Sequence, residues 1–292
     1  MDLNSSRLTE KESLARSKLC LPLDNQYDLR NQTLPLVQRL SPYVGLFKIG
    51  KGSYTRFGHD IIKVVQYNGA DVFLDLKYHD IPNTVEDAAD AATGLDVYMF
   101  NVHAKGGLDM MRAAKNGAKK RSEKYGNKMP KIVAVTELTT LDEPRFLEVV
   151  FPLIEEMEGV DFADLRKYAE MGKDEMVKEE LKSFLKKHGL EGIIKNYVLH
   201  LATLTDKAGL DGIVCSPQEV SHLKGKLRED FIYATPGVRL PGAPKHDQQR
   251  VMPPGEAIEN GSSIIIAGRP ILEAEDQAEA AYKFLQDMAL YL

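Results

Sequence analysis

The segment Asp71-Val-Phe-Leu-Asp-Leu-Lys-Tyr-His-Asp-Ile-Pro-Asn-Thr84 carries the densest chemistry in this 292-residue chain. On a β-strand, side chains alternate faces, so Asp75 and Lys77 share one face while Leu74 and Leu76 take the other. Asp80 follows in the next loop. Buried charges are costly unless they are paired and used. A lysine held between acids offers a fixed ammonium, which in a dry site stabilises negative charge as it develops. The alternative for the same residues is a structural ion pair with no chemical role.

Polar residues at the ends of other apolar runs favour the chemical reading. Asp24 ends the first run and Lys48 the second, Asn101 and His103 end the fourth, and Thr136 and Thr139 follow the fifth. A further cluster lies late in the chain. Ala267-Gly-Arg-Pro270 follows the last apolar run and opens a helix, where Gly268 lets backbone approach an anion and Arg269 can clamp phosphate oxygens in pairs. Thr235-Pro-Gly-Val-Arg239 begins a Gly/Pro-rich loop that continues through Gln248 to Arg250, the composition of a mobile lid.

These residues need a scaffold that gathers strand ends. Eight short apolar runs supply it: Leu19–Leu23, Val44–Ile49, Val72–Lys77, Val97–Val102, Lys131–Thr136, Gly212–Cys215, Phe231–Ala234 and Ser263–Ala267. The intervals read mostly as helices, among them Asn31–Arg39, Thr84–Thr93, Gly107–Lys124, Gly192–Lys207 and Pro270–Leu290. Strands alternating with helices predict a parallel sheet, and eight units in one domain predict a closed (β/α)8 TIM barrel of the α/β class. An open doubly wound sheet is the alternative, but no Gly-rich dinucleotide fingerprint follows the first strand. Residues 1–18 read as a polar N-terminal extension and 19–292 as a single barrel domain. The 75 or so residues after the fifth run exceed one helix. Phe146–Met157, Asp161–Met171 and Asp174–His188 have helical patterns there, predicting a helical insertion at about 145–190.

Hydrophobic residues make up 43% of the chain and charged ones 28%, ordinary for a globular protein, and the net charge is −5. An acidic balance argues against general nucleic-acid binding but allows a small anionic ligand gripped by local cations. No apolar run reaches membrane-spanning length and no secretory signal pattern opens the chain, so no membrane association and a cytoplasmic location are expected. Cys20 and Cys215 lie in apolar runs, which predicts buried free thiols and no metal site.

The pattern Asp75-Leu-Lys77-x-x-Asp80-Ile81-x-x-Thr84 resembles the signature of the orotidine 5'-monophosphate decarboxylase family. Asp24, Phe-Lys48-Ile-Gly, Asn-Val-His103, Val-Thr-Glu-Leu-Thr139, Pro236-Gly-Val-Arg239, Asp247-Gln248 and Gly268-Arg269 resemble family segments in the same order. The likeness runs from about Leu19 to Leu272. It implies conversion of orotidine monophosphate to UMP and carbon dioxide in pyrimidine biosynthesis, without a cofactor or metal. It implies a catalytic set of Lys48, Asp75, Lys77 and Asp80, with Lys77 beside the C6 carbanion. It further implies Asp24 and Lys48 at the ribose, Thr139 at the pyrimidine edge, and Pro236, Arg239, Gln248, Gly268 and Arg269 around the phosphate. Asp80, Ile81 and Thr84 would come from the second subunit of a homodimer. Two other readings compete. One is a magnesium-dependent sugar-phosphate decarboxylase or aldolase of the 3-keto-gulonate-6-phosphate or hexulose-phosphate type, disfavoured by Lys48 where a cation would sit. The other is a non-catalytic nucleotide-binding protein.

Overall fold

The computed structural model describes residues 8–24, 26–137, 183, 186, 192–240 and 252–292. Eight parallel strands close in sequence order: β1 Leu19–Pro22, β2 Leu46–Gly50, β3 Asp71–Tyr78, β4 Met99–His103, β5 Lys131–Val135, β6 Gly212–Val214, β7 Ile232–Pro236 and β8 Ile264–Ile266. β1 closes the ring by pairing with β8, Cys20 opposite Ile266. The predicted TIM barrel is therefore the observed fold. The strands were readable because parallel strands covered on both faces become near-continuous apolar runs.

An apolar cluster fills the barrel. Cys20, Leu46, Phe73, Met99, Val133, Ala234, Ile264 and Ile266 pack together inside. The intervening side chains, such as Leu21, Phe47, Leu74 and Phe100, join the helices in an outer core. Alternation makes the next inward position on each strand predictable. It is Lys48 after Leu46, Asp75 after Phe73 and Asn101 after Met99. The interior thus turns from apolar to charged toward the C-terminal rim.

Local signals set the helices. α1 (Glu10–Lys18) opens with a capping box between Thr9 and Glu12, carries acids in its first turn and Arg16 and Lys18 in its last. It forms from part of the stretch read as a polar extension, and Glu12 accepts a hydrogen bond from the Tyr282 hydroxyl at 2.9 Å. Asn31–Arg39, expected as one helix, is a π turn over Leu29–Thr33 running into α2 (Leu34–Leu40). α3 (Lys51–Phe57) and α4 (Asp60–Tyr67) follow β2. α5 (Pro82–Thr93) has Pro at its start, where the missing N–H costs little, and α6 (Gly107–Tyr125) stops at left-handed Gly126. A helix at Ile193–Lys207 precedes β6 as expected.

The expected single helix Pro270–Leu290 is two, Arg269–Leu272 and Gln277–Ala289. Asp276 caps the second by accepting from the N–H groups of Ala278 and Glu279, each at 3.0 Å, which restarts the helix there. The insertion expected at about 145–190 lies outside the described residues, apart from Ser183 and Lys186. Both cysteines are buried and neither forms a disulfide.

Candidate active site

Four side chains meet at the barrel mouth. Lys48 Nζ lies 2.8 Å from Asp75 Oδ2 and 3.5 Å from Asp24 Oδ2. Lys77 Nζ lies 2.6 Å from Asp75 Oδ1. Exposure grades along this chain: the Asp75 and Lys48 side chains are 8% and 11% exposed, Lys77 28% and Asp24 53%. Asp75 is thus the buried pivot, and Lys77 and Asp24 face the opening.

The electrostatics follow from that burial. Desolvation pushes the Asp75 carboxyl up, but Lys48 and Lys77 outweigh it and hold the group below the usual carboxylate range. Desolvation opposes charge on Lys48, yet Asp75 and Asp24 overcome it and raise its pKa above the ordinary lysine value. Asp75 and Lys48 are held ionised and oriented, the preorganisation needed to act on charge without first rearranging.

β3 reaches this arrangement through an irregularity. Leu74 pairs with Phe100 and Tyr78 with Val102, so three β3 residues oppose the single residue Asn101. Within the bulge Lys77 takes φ +51, a left-handed conformation unusual for a non-glycine residue. Asn101, fully buried, donates from Nδ2 to Asp75 Oδ1 at 2.6 Å and accepts from the Lys77 N–H at 2.8 Å. In the sequence Asn101 is a polar strand end within the Asn-Val-His103 segment; its link to both charged residues comes with the bulge.

A cavity of about 420 Å³ extends from Asp24 and Lys48 across the rim to Pro236, Arg239, Gly268 and Arg269. These six predicted residues therefore share one space. Arg239 is buried, and its N–H donates to the Met252 carbonyl, anchoring the strand-seven loop. Gly237 sits at φ +85, where other residues are strained. Thr139 and Gln248 lie outside the described residues.

Asp80, Ile81 and Thr84 stand apart from the network. Asp80 Oδ1 accepts from the Ile81 N–H at 2.7 Å, and all three residues are exposed, Ile81 by 65%. Beside them His79 and His103 have ring centroids 5.3 Å apart. His103 Nδ1 is buried without a hydrogen-bond partner among the described residues, and burial, then His79 and Lys105, push its pKa down to about 4. Lys105 pairs with buried Glu137 at 2.7 Å. Among the described residues, no group of three or more His, Cys, Asp or Glu is placed to hold a metal ion. Nor is any helix among them long and apolar enough to cross a membrane.

The pattern of the Orotidine 5'-phosphate decarboxylase / HUMPS family matches residues 17–284. The Orotidine 5'-phosphate decarboxylase of Shewanella sediminis is 39% identical over 264 residues, covering 90% of this chain and 94% of that protein. The protein of the same name from Syntrophotalea carbinolica is 37% identical over 278 residues, covering 95% and 97%. The crystal structure of Orotidine 5'-phosphate decarboxylase from Lactobacillus acidophilus superposes with a TM-score of 0.67 at 30% identity, covering 92% of this chain and 98% of that one. With a closed eight-stranded barrel and a lysine–carboxylate network at its mouth, this chain belongs to the orotidine 5'-phosphate decarboxylase / HUMPS family.

Proposed function

We propose that this network decarboxylates orotidine 5'-monophosphate, with Lys77 as the group beside the reacting carbon. The observation that carries the reading is the Lys77 ammonium at 2.6 Å from a buried Asp75, itself held by a second ammonium at 2.8 Å. The phosphate lies against Arg239 and Arg269, with Pro236 and Gly268 shaping the pocket. The ribose hydroxyls meet Asp24 and Lys48, and this orientation brings C6 of the pyrimidine to Lys77.

The bond from C6 to the carboxylate breaks and its electron pair stays on C6. Carbon dioxide leaves, C6 takes a proton from Lys77 Nζ, and solvent returns a proton to the amine. The ammonium faces charge as it forms, so its attraction is stronger in the transition state than in the ground state. Asp75 keeps that ammonium aimed. Binding of the remote phosphate, with Gln248 among its contacts, contributes energy that raises the rate, while Thr139 reads the pyrimidine edge.

The exposed Asp80, Ile81 and Thr84 fit a homodimer in which each copy completes the other's site, with Asp80 joining the network from across the interface. A cytoplasmic location suits an enzyme of pyrimidine nucleotide synthesis and belongs to the same proposal. The sugar-phosphate reading is disfavoured by the relatives at 37% and 39% identity over 90% or more of the chain, both orotidine 5'-phosphate decarboxylases.

The test is the fall in ultraviolet absorbance of orotidine monophosphate with metal-free protein in EDTA. Full activity is expected. An untouched substrate, or activity only after magnesium is restored, would overturn the reading.

A further inference from the structure

We infer that Asn101 is a positioning residue, which sets the geometry of the Asp75–Lys77 couple from the neighbouring strand; the inference deepens the proposed function and rests on it. Where β3 bulges, the ladder to β4 lapses between Leu74 and Tyr78, and Asn101 is the one β4 residue facing the gap. Its side chain spans the lapse. Nδ2 donates to Asp75 Oδ1 at 2.6 Å, and Oδ1 accepts from the Lys77 backbone N–H at 2.8 Å.

Both partners fix which way the amide points. An ionised carboxylate only accepts and a backbone N–H only donates, so the flipped amide would face like against like at both ends. Few other residues can do both jobs. Aspartate lacks the donor, serine falls short, glutamine is a methylene too long in a site with no exposed surface, and leucine offers neither group. The second bond matters because Lys77 sits at φ +51, a conformation that persists only when its surroundings hold it. Asn101 therefore restrains both ends of the couple, the acid through its carboxylate and the lysine through its backbone.

The test is steady-state kinetics with pH profiles on the full-length protein, comparing Asn101→Ala and Asn101→Asp with wild type. Asn101→Ala should lower kcat about a hundredfold, the scale of an ångström-sized misplacement, with KM changed by less than about threefold. Asn101→Asp keeps the shape and the acceptor for the Lys77 N–H but turns the donor into an anion against Asp75. It should be comparably impaired at pH 8 and recover as the pH falls, because a proton shared by the two carboxyls restores the donor. Around that proton stand Lys48 from β2 and Lys77 from β3, both paired to Asp75, and Cys20 from β1; Asp24 lies beyond them on Lys48, and His103 two residues along β4. Wild type should lack this acid-side recovery, which a purely structural role would not create. A near-wild-type kcat in Asn101→Ala, a loss confined to KM, an Asn101→Asp profile parallel to wild type, or unfolding of both variants would each overturn the inference. Failure of wild type itself on orotidylate would instead sink the functional reading, before any variant is compared.

Discussion

Replacing Lys77 separates its chemical role from its structural one. A unit charge about 4 Å from an ammonium, at an effective dielectric constant of about 20, is stabilised by about 4 kcal/mol, worth roughly a thousandfold in rate. Loss of the proton donor removes a further factor on the order of 10² to 10⁴, not fully additive with the first. Both Lys77→Ala and Lys77→Gly should therefore lose at least about a thousandfold in kcat.

Stability should behave differently, because Lys77 occupies φ +51. A side chain in that region costs on the order of 1–2 kcal/mol, which alanine still bears and glycine escapes. Glycine gives back about 0.5–1 kcal/mol through its freer unfolded chain. The lost ion pair is cushioned, since Asp75 keeps Lys48 at 2.8 Å and Asn101 at 2.6 Å. Lys77→Gly should thus be more stable than Lys77→Ala by about 0.5–1 kcal/mol, and close to wild type. Turnover is read from orotidylate absorbance. Stability is read from urea unfolding followed by circular dichroism, since the chain has no tryptophan to report fluorescence. More than about a hundredth of wild-type kcat in either variant would refute the electrostatic role. Equal stability of the two variants would refute the strain at position 77.

Three other outcomes follow from the site. His103 titrates near pH 4 folded against an ordinary 6.5, so the unfolded chain binds its proton first and stability should fall as pH drops from about 6.5 toward 4. The full shift sets a ceiling of about 3 kcal/mol, reduced to the order of 1–2 kcal/mol for a ring only partly shielded. His103→Gln should flatten that window in thermal melts, while the Asp75 contribution is lost only below its own, lower range; an unchanged slope would refute this. A Cβ at Gly50 would lie 2.7 Å from Asp24 Oδ1, touching only a side-chain tip. Gly50→Ala should therefore fold normally but raise KM about ten- to a hundredfold by displacing a charged hydrogen-bond partner of the ribose, and a loss in kcat alone would contradict that placement. Arg269→Ala should weaken substrate binding by a similar factor, and phosphite dianion should accelerate wild type on a substrate lacking its phosphate. Absence of that acceleration would argue against phosphate-driven closure.

The sequence carries the barrel plainly and the site in part. Apolar runs such as Lys131–Thr136 and Ser263–Ala267 announce buried parallel strands, and two-residue alternation puts Asp75 on the inner face above Phe73. The span between Gly50 and Asn68 was harder to read. It holds two short helices separated by Gly58 at φ +56, and neither is long enough to build a clear 3.6-residue period. The break before Gln277 depends on an aspartate whose capping role looks in sequence like any acidic surface residue.

The bulge in β3 marks where periodicity stops being informative. Alternation puts Asp75 and Lys77 on one side, and so they are, but through a strand holding three residues against one and a lysine in a glycine-like conformation. No residue type in Asp-Leu-Lys encodes that distortion. On β4, Asn101 accepts from the Lys77 N–H inside the bulge and donates to the Asp75 carboxylate. The bulge brings the backbone of Lys77 within reach of an amide that also grips Asp75. The left-handed turn thereby joins the ammonium's position to the carboxylate's, so a shift in either moves both. Two charges fixed this way have little freedom to relax toward a substrate. An electrostatic catalyst must lack that freedom, because any reorganisation during the reaction would be subtracted from the stabilisation it gives.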